Sequence, residues 1–237
     1  MRDCEDILQK ASAEGRSTLY PNEAQQICRL HCISTPKSYL VSNLQEAALK
    51  AKRIGFPVVL KIVSPQIIHK SDVGGVILNV RSESELKVQY KKMTADVSNK
   101  VPSAKILGVS VEKMMPSSTE FIVGALRDAQ FGPTIMFGVG GIFTEIYNDV
   151  AFRVAPIDKI DAWNLIHSLN GSRILEGVRG NRRINPEAII NLLLKVSELI
   201  TEHNSINQID LNPVMAYPDA VCAVDTRIIV KPKKGGI

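Results

Sequence analysis

The chain has 237 residues, 45% of them hydrophobic and 22% charged, and its 29 basic and 24 acidic side chains leave a net charge of +5. That length can bury a core large enough to need no disulfide staple, in one large domain or two small lobes. No apolar run approaches the roughly 18 residues of a membrane span, and the acid-bearing start MRDCEDILQK lacks the basic and apolar regions of a signal peptide.

A soluble, cytoplasmic protein is therefore expected, with the sequon Asn170-Gly171-Ser172 left unmodified. The basic surplus is modest and lies partly in the tail KPKKGG. With few aromatics and no recognition-helix signature, neither nucleic acid nor membrane is an expected partner.

Helices are predicted over residues 22–32 and 43–54, the second opening on Asn43 and Glu46 as a cap pair and placing Leu44, Ala47, Ala48 and Ala51 on one face. KSYLV between them reads as a short strand. Strands follow over 57–64 and 76–80, and Ser82-x-x-Glu85 starts a helix with Leu86, Tyr90, Met93 and Val97 at helical spacing. From 107 to 155 the pattern is strand after strand, in LGVSVEKMM, TEFIVGALR, PTIMFGVG, FTEIY and FRVAP, as in antiparallel sheet. Helices return over 158–168 and 186–202, the latter behind Asn185-Pro186, and the segments INQIDLNPVMAY and VCAVDTRIIV form two terminal strands about a PDA turn. The class is α+β, in two lobes with a boundary near 108–112.

Cys4, Cys28, Cys32 and Cys222 have no C-x-x-C spacing and read as small, neutral side chains of a reducing compartment. CRLHC at 28–32 invites a zinc reading through His31 and Cys32. Adjacent side chains diverge on a helix, however, and the sequence offers no second half-site.

No G-x-x-x-x-G-K-[ST] loop is present, and GVGGIF at 138–143 does not satisfy G-x-G-x-x-G. Three other constellations can meet a nucleotide. Lys61 interrupts the apolar strand VVLKIV, VEKMM spans 111–115, and Asp210, Asn212 and Asp225 place oxygens on neighbouring terminal strands where a hard cation such as Mg²⁺ binds. Each has a plainer reading. Lys61 can snorkel from an edge strand, Asp210 and Asn212 can shape the turn into Pro213, and His69 can be an ordinary surface histidine. Their co-occurrence favours the functional alternative.

The blocks GFPVVLKIVSPQIIHKSDVGGVIL, STEFIVGALRDAQFGPTIMFGVGGIFTEIYNDVAFRVAP and INQIDLNPVMAY resemble the ATP-grasp chain, or β subunit, of the ADP-forming acyl-CoA synthetases, the acetate–CoA ligase group of archaea. The resemblance covers nearly the whole chain. It implies an ATP-grasp fold, with two α/β lobes clasping a nucleotide over residues 19–110 and 111–237 and with 1–18 packed on the second. It also implies a ligase reaction in which acyl-CoA, ADP and phosphate interconvert with carboxylic acid, CoA and ATP through phosphohistidine.

The resemblance assigns roles residue by residue. His69 would accept the phosphoryl group and Asp210 would assist it. Lys61 would contact the phosphates under the turn of Gly74 and Gly75, Glu112, Lys113, Met114 and Met115 would line the adenine pocket, and Glu120 would join them in holding the nucleotide. Asn212 and Asp225 would hold Mg²⁺. No CoA fingerprint is found, so a separate CoA-binding α subunit is expected, in an α2β2 heterotetramer. A non-catalytic ATP- or ADP-binding regulatory module and a stand-alone ATP-grasp ligase are the alternatives. Which acid is activated, whether ADP or GDP is preferred, and the direction in the cell are not legible.

Overall fold

The structure, a computed structural model, describes residues 2–67, 69–141, 149–177 and 182–231. Contacts divide the chain into two units, Pro36–Pro116 and a discontinuous one of Met1–Thr35 with Ser117–Ile237.

The smaller unit is a four-stranded antiparallel sheet in the order β1 (Ser38–Val41), β4 (Gly108–Lys113), β2 (Val58–Val63), β3 (Val76–Val80). Helices α3 (Leu44–Ile54) and α4 (Glu83–Lys100) pack against it. Both start where the sequence supplies caps: the Asn43 side chain accepts the Glu46 amide at 2.9 Å, and Ser82 Oγ accepts the Glu85 amide at 3.2 Å. All six residues of β2 are buried, and its inner face joins Val109 and Val111 with Ala47, Ala51, Leu86 and Met93 in one core.

The larger unit holds a six-stranded sheet in the order β10 (Thr226–Val230), β8 (Ile206–Ala216), β5 (Thr119–Asp128), β6 (Gly132–Val139), β7 (Val150–Val154), with β9 (Val221–Ala223) on β8. Its face is covered by α5 (Lys159–His167) and by α6 (Pro186–Glu202), whose Ile189, Leu192, Leu193, Val196 and Leu199 enter the core. Phe121 and Phe137 stack there with ring centroids 5.2 Å apart. Two N-terminal helices, α1 (Arg2–Ala13) and α2 (Pro21–Leu30), complete this core through Cys4, Leu8 and Ala11 and through Ala24, Ile27 and Cys28.

This division differs from the expected lobes of 19–110 and 111–237. Residues 19–35 carry α2, whose apolar face belongs to the larger core, while 111–116 finish β4 in the smaller sheet. The strand expected at 143–147 lies outside the described residues. Residues 221–230 are not one strand but two, because Pro213 has no amide hydrogen for the ladder opposite Val224 and Asp225. Among the described residues no helix is long and apolar enough to cross a membrane.

Candidate functional site

In the smaller unit, strand register decides the setting of Lys61. Antiparallel pairing of β2 with β4 puts Lys61 opposite Ser110 and Val59 opposite Glu112, so the Lys61 and Glu112 side chains meet diagonally on one face. Lys61 Nζ lies 3.0 Å from Glu112 Oε2, and Ser110 Oγ donates to Glu112 Oε1 at 2.8 Å. Both charges are buried, at 7% and 1% exposure. The edge-strand reading of Lys61 is therefore corrected: β2 lies between β4 and β3, with the ammonium held at a carboxylate rather than led out to water. The alternation S-x-E on β4 was the signal that could have disclosed Ser110.

Beyond Glu112, Lys113 Nζ donates to the Gly55 carbonyl at 3.1 Å, and the Met114 amide donates to the Pro57 carbonyl at 3.2 Å. Met114 and Met115 are half-buried. These bonds hold the segment after β4 against the start of β2.

The connection from β2 to β3 carries the expected histidine and glycines. His69 is exposed. Gly74 has φ +74°, in the region that favours glycine, and Gly75 is buried with its amide donating to the Lys70 carbonyl at 2.7 Å. A Cβ on Gly75 would stand 2.5 Å from Ile62 Cγ2 and 3.0 Å from the Lys70 oxygen. The two glycines thus have different causes, conformation at Gly74 and close packing at Gly75, and together they bring the His69 loop back onto β2.

The larger unit gathers the acids. Asp210 stands on β8 opposite Arg227 of β10, and the Asn212 amide donates to the Asp225 carbonyl at 3.3 Å across the break between β9 and β10. Asn212 and Asp225 are neighbours because the register that sets Leu211 against Thr226 and Val214 against Ala223 runs on between them. Burial pushes the Asp210 carboxyl above its ordinary value; the positive Arg227 opposes this and the negative Asp225 adds to it. The Asp210 and Asp225 carboxylates are close enough for charge to be felt, and with the Asn212 side chain they offer oxygen donors of the type a hard cation takes. Glu120, on β5, is exposed, and its carbonyl accepts the Gly140 amide at 2.8 Å. At the C-terminal end of β8, Ser117, Thr119, Arg182, Ala216 and Tyr217 line a cavity of about 330 Å³ that the sequence did not disclose, since Arg182 comes from a segment with no periodic signal.

Residues 10–230 match the ATP-grasp domain family, which defines the class of protein that these units and their lysine, acid and amide groups belong to. The chain is 45% identical over 225 residues, 95% of its length and 97% of the relative's, to the β subunit of the ADP-forming acetate–CoA ligase I of Pyrococcus furiosus. An acetyl-coenzyme A synthetase 1 of Ca. Korarchaeum cryptofilum, solved with coenzyme A, Ca-AMPCP and HgCl⁺, superposes with a TM-score of 0.94 at 44% identity, covering 96% of this chain and 99% of that one. The same synthetase with coenzyme A and Mg-AMPPCP, its phosphohistidine segment pointing towards the nucleotide binding site, superposes at 0.85 with 41% identity, covering 96% and 100%. The chain belongs to the ATP-grasp family, in the branch formed by the β subunits of ADP-forming acetate–CoA ligases.

Proposed function

We propose that this chain is the nucleotide-binding β subunit of an ADP-forming acyl-CoA synthetase, passing a phosphoryl group between phosphohistidine and ADP. Acyl-CoA, ADP and phosphate thereby interconvert with carboxylic acid, CoA and ATP. The observation that carries the reading is the exposed imidazole of His69 on a glycine-shaped loop directly after the lysine strand, in a chain 45% identical to such a β subunit along nearly its whole length.

Phosphoryl transfer needs in-line positioning and charge neutralisation more than covalent machinery. Lys61 serves the phosphates, with Glu112 fixing its ammonium, while Gly74 and Gly75 shape the covering turn. Glu112 to Met115 and Glu120 hold the remainder of the nucleotide. Asn212 and Asp225 hold Mg²⁺, which neutralises phosphate charge when bound. A neutral His69 nitrogen attacks the γ-phosphorus of ATP, the bond to the bridging oxygen breaks, and ADP leaves; the reverse step makes ATP. Asp210 assists by stabilising the imidazolium that forms. The CoA and acyl chemistry falls to a separate α subunit, as the designation of the Pyrococcus relative as a subunit β supports, in an α2β2 assembly.

The test is phosphoryl labelling with the α subunit present. Incubation with labelled ATP should give an acid-labile, base-stable label on this chain. His69→Asn should abolish label and turnover while ADP still binds, since asparagine forms hydrogen bonds but no phosphoramidate. Label confined to the α subunit, with near-normal turnover in His69→Asn, would remove His69 from the pathway.

A further inference from the structure

Three helices of the larger unit end on one cluster outside the nucleotide machinery. Cys4 lies on α1, His31 is the C-cap of α2, and His203 is the C-cap of α6. One donor atom of each stands within 4.8 Å of the others. Cys4 is fully buried, His203 is 4% exposed and the His31 side chain 11%.

Hydrogen bonding settles the tautomers. His31 Nδ1 lies 3.1 Å from the Ile27 carbonyl oxygen, and His203 Nδ1 lies 2.7 Å from Glu5 Oε1. A carbonyl oxygen and a carboxylate only accept, so both Nδ1 atoms carry hydrogen, and each ring in its neutral form directs an Nε2 lone pair inward. Those two Nε2 atoms are 3.2 Å apart. Two lone pairs facing at that distance repel unless a cation stands between them. Tetrahedral zinc with Zn–N bonds of about 2.05 Å separates its nitrogens by roughly 3.3 Å, so the pair already has the required bite.

The geometry points to a structural Zn²⁺ site formed by Cys4 Sγ, His31 Nε2 and His203 Nε2, with Glu202 in reach of the fourth position. Glu202 Oε2 lies 3.6 Å from His31 Nε2. Glu5 orients His203 from behind, as carboxylates orient metal-bound imidazoles. The nitrogen and sulfur donors favour Zn²⁺ over Mg²⁺, and their burial marks a closed site rather than a catalytic one. Burial also pushes the free Cys4 thiol up to about 11, so the metal-free site holds a neutral thiol. On binding, the S–H bond breaks, the Zn–S bond forms and the proton goes to solvent. The ion would tie α1 and α2 to the end of α6. CRLHC thus supplies one ligand, and its second half-site comes from Cys4 and His203, remote in sequence.

The full chain, made without a histidine tag and stripped with a chelator, tests this by titration with Co²⁺ and then Zn²⁺. One equivalent of Co²⁺ should bring up a thiolate charge-transfer band with tetrahedral d–d bands, both erased by one equivalent of Zn²⁺. Cys4→Ala should lose the charge-transfer band, Asp225→Ala should keep it, and Glu5→Gln should weaken Zn²⁺ affinity by about 10- to 100-fold. X-ray absorption on the wild-type zinc form, which needs no variant, should show one sulfur at about 2.3 Å among nitrogen and oxygen ligands. A sulfur-free shell, or a charge-transfer band that survives Cys4→Ala, overturns the site and leaves the two imidazoles sharing a proton.

Discussion

Lys61 Nζ and Glu112 Oε2 form an ion pair at 3.0 Å across β2 and β4, with side chains 8% and 2% exposed. Removing one partner of a buried pair strands the other charge and costs about 3–5 kcal/mol. Lys61→Met, which keeps the stem and loses the charge, should therefore lower the thermal midpoint as well as nucleotide affinity. Adding Glu112→Gln removes the stranded charge and keeps an acceptor for Ser110, so it should recover most of the midpoint but not the affinity. Thermal unfolding and calorimetry on the two variants separate these effects; a wild-type midpoint for Lys61→Met would show that Glu112 does not depend on it.

Mg²⁺ dependence follows from the oxygen set at the β9–β10 break. Calorimetry on the isolated chain should show ADP or ATP binding that requires Mg²⁺ and weakens when Asp225→Ala removes one ligand and one charge. Binding indifferent to both changes would sink the metal assignment. Asp225→Ala should keep the backbone bond to the Asn212 amide, since the Asp225 carbonyl, not its carboxylate, accepts it.

Asp210 should show opposite effects on stability and activity. Its folded carboxyl is raised by burial, with Arg227 opposing and Asp225 adding, while an unfolded aspartate titrates near about 3.9. Between the two values the native state holds a proton that the unfolded state has released, so stability falls as pH rises through that window. The penalty stands in full above the folded value. Asp210→Asn should then raise the metal-free thermal midpoint at pH 7, the gain shrinking as pH falls through that window and vanishing below about 4, while phosphoryl transfer falls by orders of magnitude. A lower midpoint at pH 7 would make Asp210 a structural residue.

Gly75→Ala should destabilise the smaller unit by about 1–3 kcal/mol, as overpacking does, because its Cβ would meet Ile62 Cγ2 at 2.5 Å on a fully buried strand. Gly74→Ala meets no such wall, its nearest neighbour being Lys100 Nζ at 3.9 Å, and its cost comes from φ +74° alone. Denaturant melts of the two variants should rank Gly75→Ala as the more damaging; the reverse order would place the tight approach at Gly74.

Elements whose signals are local were legible. The Asn43 and Ser82 caps and the Asn185-Pro186 start of α6 operate within a few residues, so sequence alone placed α3, α4 and α6. Helix α1 escaped because its buried stripe is Cys4, Leu8 and Ala11, too weakly apolar to stand out from polar neighbours. The near-unbroken apolar run of β2 announced a buried strand, and the hairpin about residues 217–220 brought Asp210 and Asn212 towards Asp225.

Partners remote in sequence were decided only by tertiary structure. Lys61 could be read as odd for its strand, but its carboxylate depends on the register of β2 against β4, which non-local pairing sets. The placement of 19–35 with the larger unit depends on which core the α2 face fills, and a 3.6-residue period tells that a face is apolar without telling what it meets. The same reason hid the Cys4, His31 and His203 cluster. CRLHC drew notice to His31 but not to Cys4 or His203, and only the packing of three helix ends converges their donor atoms. Sequence by itself determined the elements, the family likeness and the residue types fit for nucleotide chemistry; tertiary structure decided which charges are paired and buried, because desolvation and pairing belong to neighbours in space.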